Sequence, residues 1–353
     1  MTNRVDSRAA ASIVLFIMRT FQKLALATLL SLIVLIFVGA IVRATGAGLG
    51  CPDWPMCWGR LVPPMSVDQV DFEELNMERF RRDAERHGLD PDKITADTLR
   101  GEFNPVHVWT EYINRLTSMP VGFLSLVLLI YGNRERRAGR KNVFLATVAS
   151  FILVLANAAL GAMVVMSRLN SGLITLHMAL AVSLVCVLVY AAWRGCERPW
   201  GLKFRDPSKL RGAWIAISVL FFVTIVEGLM GSQVREMTDA LARAHTNEPR
   251  SMWTEELEST WIYLIHRSFS WLVLGAALAF FVYARRNLVS GAQWLEKGIL
   301  GIVLAQMVLG LILAQVGVLR VVQVLHIGLS SLLVSGMFLW VLGCVGTNRG
   351  AEV

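Results

Sequence analysis

Long apolar runs dominate the pattern of hydrophobic and polar positions along this chain. Eight of them are close to the roughly 20 residues that an α-helix needs to cross the hydrocarbon core of a bilayer. They lie at residues 22–43, 108–131, 143–166, 172–193, 213–232, 260–283, 298–316 and 320–345. The pattern therefore predicts an all-α polytopic membrane protein with eight transmembrane helices.

Two segments of the chain, each covering the end of one apolar run and the start of the next, resemble each other. Residues 155–177 read LANAALGAMVVMSRLNSGLITLH and residues 304–326 read LAQMVLGLILAQVGVLRVVQVLH, at a constant offset of 149 residues. Asn114-Arg115 precedes the first copy and His266-Arg267 the second. A duplicated unit predicts a pseudosymmetric fold with a pair of equivalent sites. We therefore predict two pseudosymmetric four-helix halves, an N-terminal one over residues 1–194 and a C-terminal one over residues 195–353.

The composition indicates a membrane protein, and the positions of its Lys and Arg residues indicate which ends of the spans face the cytoplasm. The chain is 55% hydrophobic and 17% charged, which is outside the usual range of a soluble domain. A net charge of +8 would favour nucleic acid as a partner of a soluble protein, but here Lys and Arg are concentrated on one side of the predicted spans. They are Arg4, Arg8, Arg19 and Lys23; Arg134, Arg136, Arg137, Arg140 and Lys141; Arg194, Arg198, Lys203, Arg205, Lys209 and Arg211; and Arg285, Arg286 and Lys297.

The positive-inside rule makes these segments and both termini cytoplasmic. The first apolar run has full spanning length and no signal-peptide cleavage site. We expect a multi-pass protein of a bacterial inner membrane, surrounded by the lipid bilayer and without a nucleic-acid partner. The sequence leaves open whether the chain forms a homo-oligomer.

The first outer connection, residues 44–106, is longer than connections that lack structure of their own. Its segment from Val67 to His87 spaces Val70, Leu75 and Phe80 as a short amphipathic helix would. Such a helix would lie on the membrane surface or form a lid over a site, and a solvated loop is the alternative. Cys51 and Cys57 share this connection on the oxidising side, where a disulfide and two free thiols are both open readings.

Four residues at matched depth suggest chemistry inside the bundle. The second, fourth, sixth and eighth spans all start on the outer side, and Asn114, His177, His266 and His326 lie within about two turns of those starts, ~5–11 Å in. Facing histidines on two helices of a bundle form the usual bis-imidazole site for a haem iron. His266 and His326 would be such a pair. In the first half His177 would face Asn114, so one imidazole is missing.

Charged residues inside the spans add further candidates. Glu111 and Arg115 share one face of the second span with His107 and Asn114, and intramembrane charges are costly unless they face the bundle interior. Glu227 in the fifth span is another such acid, with no obvious partner and an open role. His87 and His245, in the outer connections, are most simply solvated surface residues.

The motifs together resemble the haem A synthase family. They are GAIVRATGAGLGCPDWPMCWG, WTEYINRL, LHMAL, GSQVRE, IHRSFSW and QVLHIGL, in this order over nearly the whole chain. The resemblance implies an enzyme that oxidises a methyl group of haem O to a formyl group through hydroxylated intermediates, giving haem A for cytochrome oxidases. It implies that His266 and His326 ligate a resident haem b in the second half, which would take up electrons.

The same resemblance places the substrate haem O, delivered from a haem O synthase, in the first half. His177 would be its axial ligand and Glu111 the catalytic carboxylate. Cys51 and Cys57 match family members with a cysteine pair in the first outer loop. The electron acceptor stays unidentified.

The second span departs from the family pattern. The common form has Glu followed three residues later by His-Arg, whereas this chain has Glu111 and then Asn114-Arg115. The iron of the substrate haem would then be bonded to His177 alone. Alternatively His107, about 10 Å away along the helix, would replace the missing ligand, or it is only a helix-entry residue.

Two other functions are compatible with parts of the pattern. A membrane cytochrome b that passes electrons without chemistry on a haem explains His266 and His326 equally well, but not the incomplete pair and the carboxylate of the first half. A transporter built from repeats explains the symmetry, but not the matched depth of the histidines.

Overall fold

The computed structural model describes residues 20–86, 90–196, 199–245, 248, 252–291, 293–317 and 319–349. Arg4, Arg8, Arg19, His87 and Arg198, for which the sequence made predictions, lie outside the described residues.

Eleven α-helices form the described part of the chain. They are α1 (Thr20–Thr45), α2 (Met77–Arg86), α3 (Ala96–Glu102), α4 (Pro105–Arg137), α5 (Lys141–Met166), α6 (Ser171–Arg194), α7 (Leu210–Ala244), α8 (Thr254–Ser259), α9 (Trp261–Asn287), α10 (Trp294–Gln315) and α11 (Arg320–Arg349). Eight of them, α1, α4 to α7 and α9 to α11, are long and apolar enough to cross a membrane. The predicted all-α, eight-span, multi-pass fold is therefore confirmed.

The described residues divide into two compact units. The first contains the described residues up to 170 and those from 177 to 200, and the second contains residues 171–176 and the described residues from 201 onward. In the first unit α4 packs against both α1 and α5. In the second unit α7 packs on α9, α9 on α10, α10 on α11 and α11 on α7, which closes a four-helix ring.

A buried aromatic pair anchors the core of the second unit. The rings of Phe280 and Trp340 meet edge to face at 4.8 Å between centroids, and Trp340 is fully buried. Its indole Nε1 donates to Oε1 of Glu296 at 2.7 Å. Glu296 also accepts from the backbone N–H of Gln293 at the start of α10, so this buried carboxylate both caps a helix and satisfies a core tryptophan.

The first outer connection is folded. Cys51 and Cys57 form a disulfide with Cα atoms 4.6 Å apart, so the oxidised alternative is the observed one. Both cysteines are buried in a small core with Trp58, Leu99 and Val108. This core holds the connection against the outer end of α4.

The helix predicted within residues 67–87 is α2, but it is shorter than the pattern suggested. Val70 and Leu75 precede α2 and are buried in the same small core as the disulfide, with Phe80 of α2 packed against it. The prediction that all three form the apolar face of one surface helix was therefore wrong. Their burial against Cys51 and Cys57 explains the near-helical spacing without a longer helix.

The second outer connection contains another small cluster, formed by Leu241, Trp253, Leu257 and Tyr263. The His245 ring stacks on Trp253 with an interplanar angle of 16°, and its side chain is only 28% exposed. His245 therefore lies at the surface, as interpreted from the sequence, but a neighbouring tryptophan covers one face of its ring.

Candidate functional site

Glu111 is a buried carboxylate near the N-terminal end of α4. Asn104 caps this helix by accepting from the backbone N–H groups of Val106 and His107, and Pro105 occupies the first helical position. This start places Glu111 and Arg115 one turn apart on one face. Nε of Arg115 donates to Oε1 of Glu111 at 3.2 Å, and the Glu111 residue is only 5% exposed.

The Arg115 guanidinium also binds the disulfide loop. Its Nη1 donates to the backbone carbonyls of Asp53 at 2.9 Å and Met56 at 2.7 Å. Its Nη2 donates to the carbonyl of Cys51 at 2.9 Å. One side chain therefore joins the buried carboxylate of Glu111 to three carbonyls of the loop that the disulfide closes.

The loop is held in shape by its own polar groups. The Asp53 carboxylate accepts from the backbone N–H groups of Trp58 at 2.6 Å and Gly59 at 2.8 Å. The indole of Trp58 donates to the carbonyl of Gly50 at 2.7 Å. Gly50 lies against the backbone of His107, where a Cβ atom would collide with the carbonyl group. Glycine is therefore required for the loop to approach α4 this closely.

His107 and Asn114 occupy different levels of α4. His107 lies in the first turn, where its backbone N–H is part of the Asn104 cap. Asn114 is half-buried and its side chain lies within hydrogen-bonding reach of the Glu111 carboxylate. The structure thus brings Asn114, Glu111 and Arg115 together and places His107 at the helix entry.

Each of the four residues predicted to share one depth faces a glycine on the preceding transmembrane helix. A Cβ atom on Gly231 of α7 would lie 3.1 Å from Cε1 of His266, one on Gly161 of α5 would lie 3.5 Å from Cε1 of His177, and one on Gly310 of α10 would lie 3.7 Å from Cε1 of His326. A Cβ on Gly39 of α1 would lie 3.8 Å from Oδ1 of Asn114. The missing side chains let each ring or amide approach a neighbouring helix surface.

Glu227 has a partner that the sequence did not reveal. Its Oε1 lies 3.2 Å from Nδ1 of His266. Glu227 precedes Gly231 by one turn of α7, so the carboxylate and the glycine face the same imidazole ring. The role of this acid was left open by the sequence, and the structure supplies His266 as its partner.

Comparison with known proteins identifies the family of this chain. Residues 22–338 match the family described as cytochrome oxidase assembly protein, a match that covers the disulfide loop, Glu111 and all three intramembrane histidines. The chain belongs to the cytochrome oxidase assembly protein family.

Three relatives of this chain are named haem A synthase. The chain is similar to a haem A synthase of Nitrosomonas eutropha, 25% identical over 206 residues, which are 56% of this chain and 54% of that protein. It is similar to one of Shewanella oneidensis, 27% identical over 61% of this chain and 57% of that protein. A third, of Sphingopyxis alaskensis, is 28% identical over 88% of this chain and 87% of that protein. The matches to the first two span little more than half of their length.

Several contacts around the candidate histidines and Arg115 were not predicted from the sequence. Gly161 and Gly310 were landmarks of the repeat, but their position against the rings of His177 and His326 requires the helix pairing of the folded chain. Glu227 and Gly231, four residues apart, carried a usable signal, since this spacing places both on one helix face. The binding of Arg115 to loop carbonyls had no sequence signal, because every residue has a carbonyl.

Proposed function

We propose that this chain is a haem A synthase, which oxidises a methyl group of haem O to a formyl group and so supplies haem A for the assembly of cytochrome oxidase. Support comes from membership of the cytochrome oxidase assembly protein family and from relatives that carry the name haem A synthase. The net change adds the oxygen of one water to the methyl carbon and releases four electrons and four protons to an acceptor.

The observation that carries this proposal is the difference between the two units. At the offset that relates Asn114-Arg115 to His266-Arg267, Glu111 corresponds to Tyr263. The first unit therefore has a buried carboxylate held by Arg115 beside an amide, where the second has a tyrosine beside an imidazole. A site for chemistry in one unit and a site for a resident redox group in the other explain this difference.

The residues of the second unit fit a haem iron. Among the described residues, Nδ1 of His177, His266 and His326 is buried and makes no hydrogen bond. Each ring also lies in a cradle that a Cβ on the facing helix would narrow or fill. Imidazoles held in this way, with little polar competition around them, are suitable axial ligands. In the second unit His266 and His326 would hold haem b, which when bound supplies a redox centre that accepts electrons.

The residues of the first unit fit the substrate. His177 would bind the iron of haem O, and Asn114 offers at most a weak carbonyl oxygen opposite it. His107 is a poorer candidate, since it lies in the first turn of α4, ~10 Å above Asn114 along the helix. We therefore favour a substrate iron bonded to His177 alone.

Glu111 would act on the reacting methyl group. Where bulk water is excluded, a carboxylate near that carbon would stabilise positive charge developing there, or would accept a proton from the one water that reacts. Arg115 keeps the carboxylate in one orientation and at one level, because its guanidinium is fixed by three carbonyls. The disulfide loop in turn covers the outer end of α4 and limits the access of bulk water to Glu111.

The proposed function also includes a membrane location and an orientation. The eight helices place the protein in a lipid bilayer, and the bias of Lys and Arg assigns the ends of the chain to the cytoplasmic side of a bacterial inner membrane. The outer ends of α4, α6, α9 and α11 would then carry the haem sites. Haem O would arrive from a haem O synthase.

The test is pigment analysis from cells that express this chain with and without a source of haem O. Haem A is expected only when both are present. Glu111→Gln should leave haem bound to the purified protein but abolish the formation of haem A. Glu102→Gln, at an exposed acid of α3 that pairs with Arg168, is the control and should still form haem A. A normal yield of haem A from the Glu111→Gln variant would overturn the assignment. A protein that binds haem but never yields haem A would favour an electron-transfer cytochrome b.

A further inference from the structure

We propose that Glu227 is a positioning residue for the resident haem, which orients the His266 ring through Nδ1 and makes this imidazole the more electron-donating of the two axial ligands. This inference rests on the proposed role of His266 as a ligand. It assigns a function to an acid of α7 that the proposed reaction does not use.

The first observation is the contact itself. Oε1 of Glu227 lies 3.2 Å from Nδ1 of His266, with both side chains largely shielded from solvent at 16% and 22% exposure. The contact is not a well-aligned hydrogen bond, because Nδ1 of His266 makes no hydrogen bond among the described residues. The other carboxylate oxygen of Glu227, Oε2, is also without one there. A small rotation of the ring would align the N–H with the carboxylate, and ligation of an iron by Nε2 would fix that rotation.

The second observation is a recurring arrangement on three helices. Gly231, Gly161 and Gly310 each face a histidine ring, and each is preceded by one turn by a side chain with an oxygen acceptor. These acceptors are Glu227, Asn157 and Gln306, and each has one buried oxygen without a hydrogen bond in the described part of the chain. The His177 ring lies close to the backbone carbonyl of Asn157, and Gln306 donates to the backbone carbonyl of His326 at 2.8 Å.

The three arrangements differ in charge. Two acceptors are neutral amides and only the one at His266 is a carboxylate. A histidine ligand that donates its second N–H to a carboxylate has a fixed tautomer and is a stronger base toward the metal. A stronger donor stabilises the ferric state, so a carboxylate at this position lowers the midpoint potential of the haem.

The carboxylate of Glu227 beside His266 would therefore affect the rate at which electrons leave the haem. With a haem held by His266 and His326, a lower midpoint potential would favour its reoxidation by the electron acceptor. Residue 227 sets this potential through the second nitrogen of His266, without touching the haem or the substrate.

The experiment is a potentiometric titration of the purified haem-loaded protein together with EPR of its oxidised form. Glu227→Gln keeps the shape and an acceptor oxygen but removes the charge, and Glu227→Leu removes the acceptor. We expect a positive shift of the midpoint potential that is larger for Leu than for Gln, and altered g values of the low-spin signal. Haem retention by the Leu variant should fall by about 10- to 100-fold.

Glu296→Gln is the matched control. Glu296 is also a buried acid of the second unit, but it accepts from Trp340 rather than contacting a histidine, so its variant should keep the wild-type potential and g values. Unchanged potentials and spectra in both Glu227 variants would overturn the inference. An equal shift in Glu296→Gln would overturn it too, because any buried charge would then suffice.

The His266→Ala variant distinguishes failure of the role of Glu227 from failure of the proposed role of His266 as a haem ligand. If this variant loses the bis-imidazole signal while Glu227→Leu behaves as wild type, only the role of Glu227 fails. If His266→Ala keeps the signal, the ligand assignment itself fails and the role of Glu227 fails with it.

Discussion

Arg115 contacts Glu111 with one nitrogen and the loop closed by Cys51 and Cys57 with its other two. The ion pair spans 3.2 Å, and the contacts to the carbonyls of Asp53, Met56 and Cys51 are between 2.7 and 2.9 Å. The proposed catalytic carboxylate is therefore positioned by a structure outside the membrane span that contains it. Two predictions follow from this chain of contacts.

Arg115→Lys should lower the yield of haem A at least tenfold while the protein still folds and inserts. A lysine ammonium lacks the planar fork that lets one guanidinium bind a carboxylate and three carbonyls together. Arg115→Leu should be worse, because removing one partner of a buried ion pair costs about 3–5 kcal/mol. The measurement is the ratio of haem A to haem O in extracted pigment, normalised to protein in the membrane.

Arg168→Gln provides the control for Arg115. Arg168 pairs with Glu102 at 2.7 Å in the same unit, and in the described part of the chain it forms no hydrogen bond or ion pair with Glu111 or the disulfide loop. Its variant should retain haem A formation. Equal losses in the Arg115→Lys and Arg168→Gln variants would show that Arg115 acts through general stability.

Replacement of both Cys51 and Cys57 by Ser should loosen the loop that binds Arg115. A cross-link over so short a segment stabilises it by about 2 kcal/mol through the entropy of the open chain. We expect faster hydrogen exchange over residues 50–60 and a lower yield of haem A, with the transmembrane helices unaffected. Cys186→Ala, at a helical cysteine without a disulfide, is the control. Unchanged exchange over residues 50–60 in the double variant would contradict the prediction.

The parts of the fold that depend on local pattern were predictable. Eight apolar runs of spanning length predicted eight helices, because only a helix satisfies its backbone within one segment in lipid. The positions of His177, His266 and His326, five or six residues after the starts of their helices, also followed from the apolar runs. In each case a short stretch of sequence contained the whole argument.

The contacts that connect these parts were not predictable. The three carbonyls around Arg115 depend on a loop in which Trp58 and Gly59 both adopt left-handed conformations, with φ of 55° and 76°. The partner of Glu227 depends on which helix packs beside α7. Both are tertiary relationships between residues 39 to 64 positions apart in the sequence, which periodicity within one helix does not encode.

Gly231→Ala should impair haem binding in the second unit. The added Cβ would lie 3.1 Å from Cε1 of His266, which is closer than ordinary van der Waals contact, so the ring must move. Gly228→Ala is a matched control on the same helix, since a Cβ there meets nothing within 4 Å. The measurement is haem content per protein after purification. Gly231→Ala should retain less haem than wild type, and equal content in the two variants would show that the glycine is not required for the cradle.

His245 should make the second outer connection sensitive to pH. Its Nδ1 lies 2.8 Å from Oε2 of Glu248, and its Nε2 lies 3.4 Å from Oε2 of Glu256. Hydrogen bonding to Glu248, followed by its charge and by Glu256, raises the pKa of His245 above the ordinary value of 6.5. Because its pKa is higher in the folded chain than in the unfolded chain, protonated His245 stabilises this connection. The stabilisation is fully present at pH values below the pKa of the unfolded chain and is lost as the pH rises through the pKa of the folded chain.

We therefore expect the segment around α8 to be better protected at pH 6 than at pH 8. Hydrogen exchange of peptides covering residues 252–260, corrected for the intrinsic effect of pH, measures this. His245→Gln should remove most of the difference, because glutamine does not titrate, whereas Glu255→Gln, at an exposed acid of α8 outside the His245 contacts, should retain it. The same pH dependence in wild type and His245→Gln would show that another group is responsible.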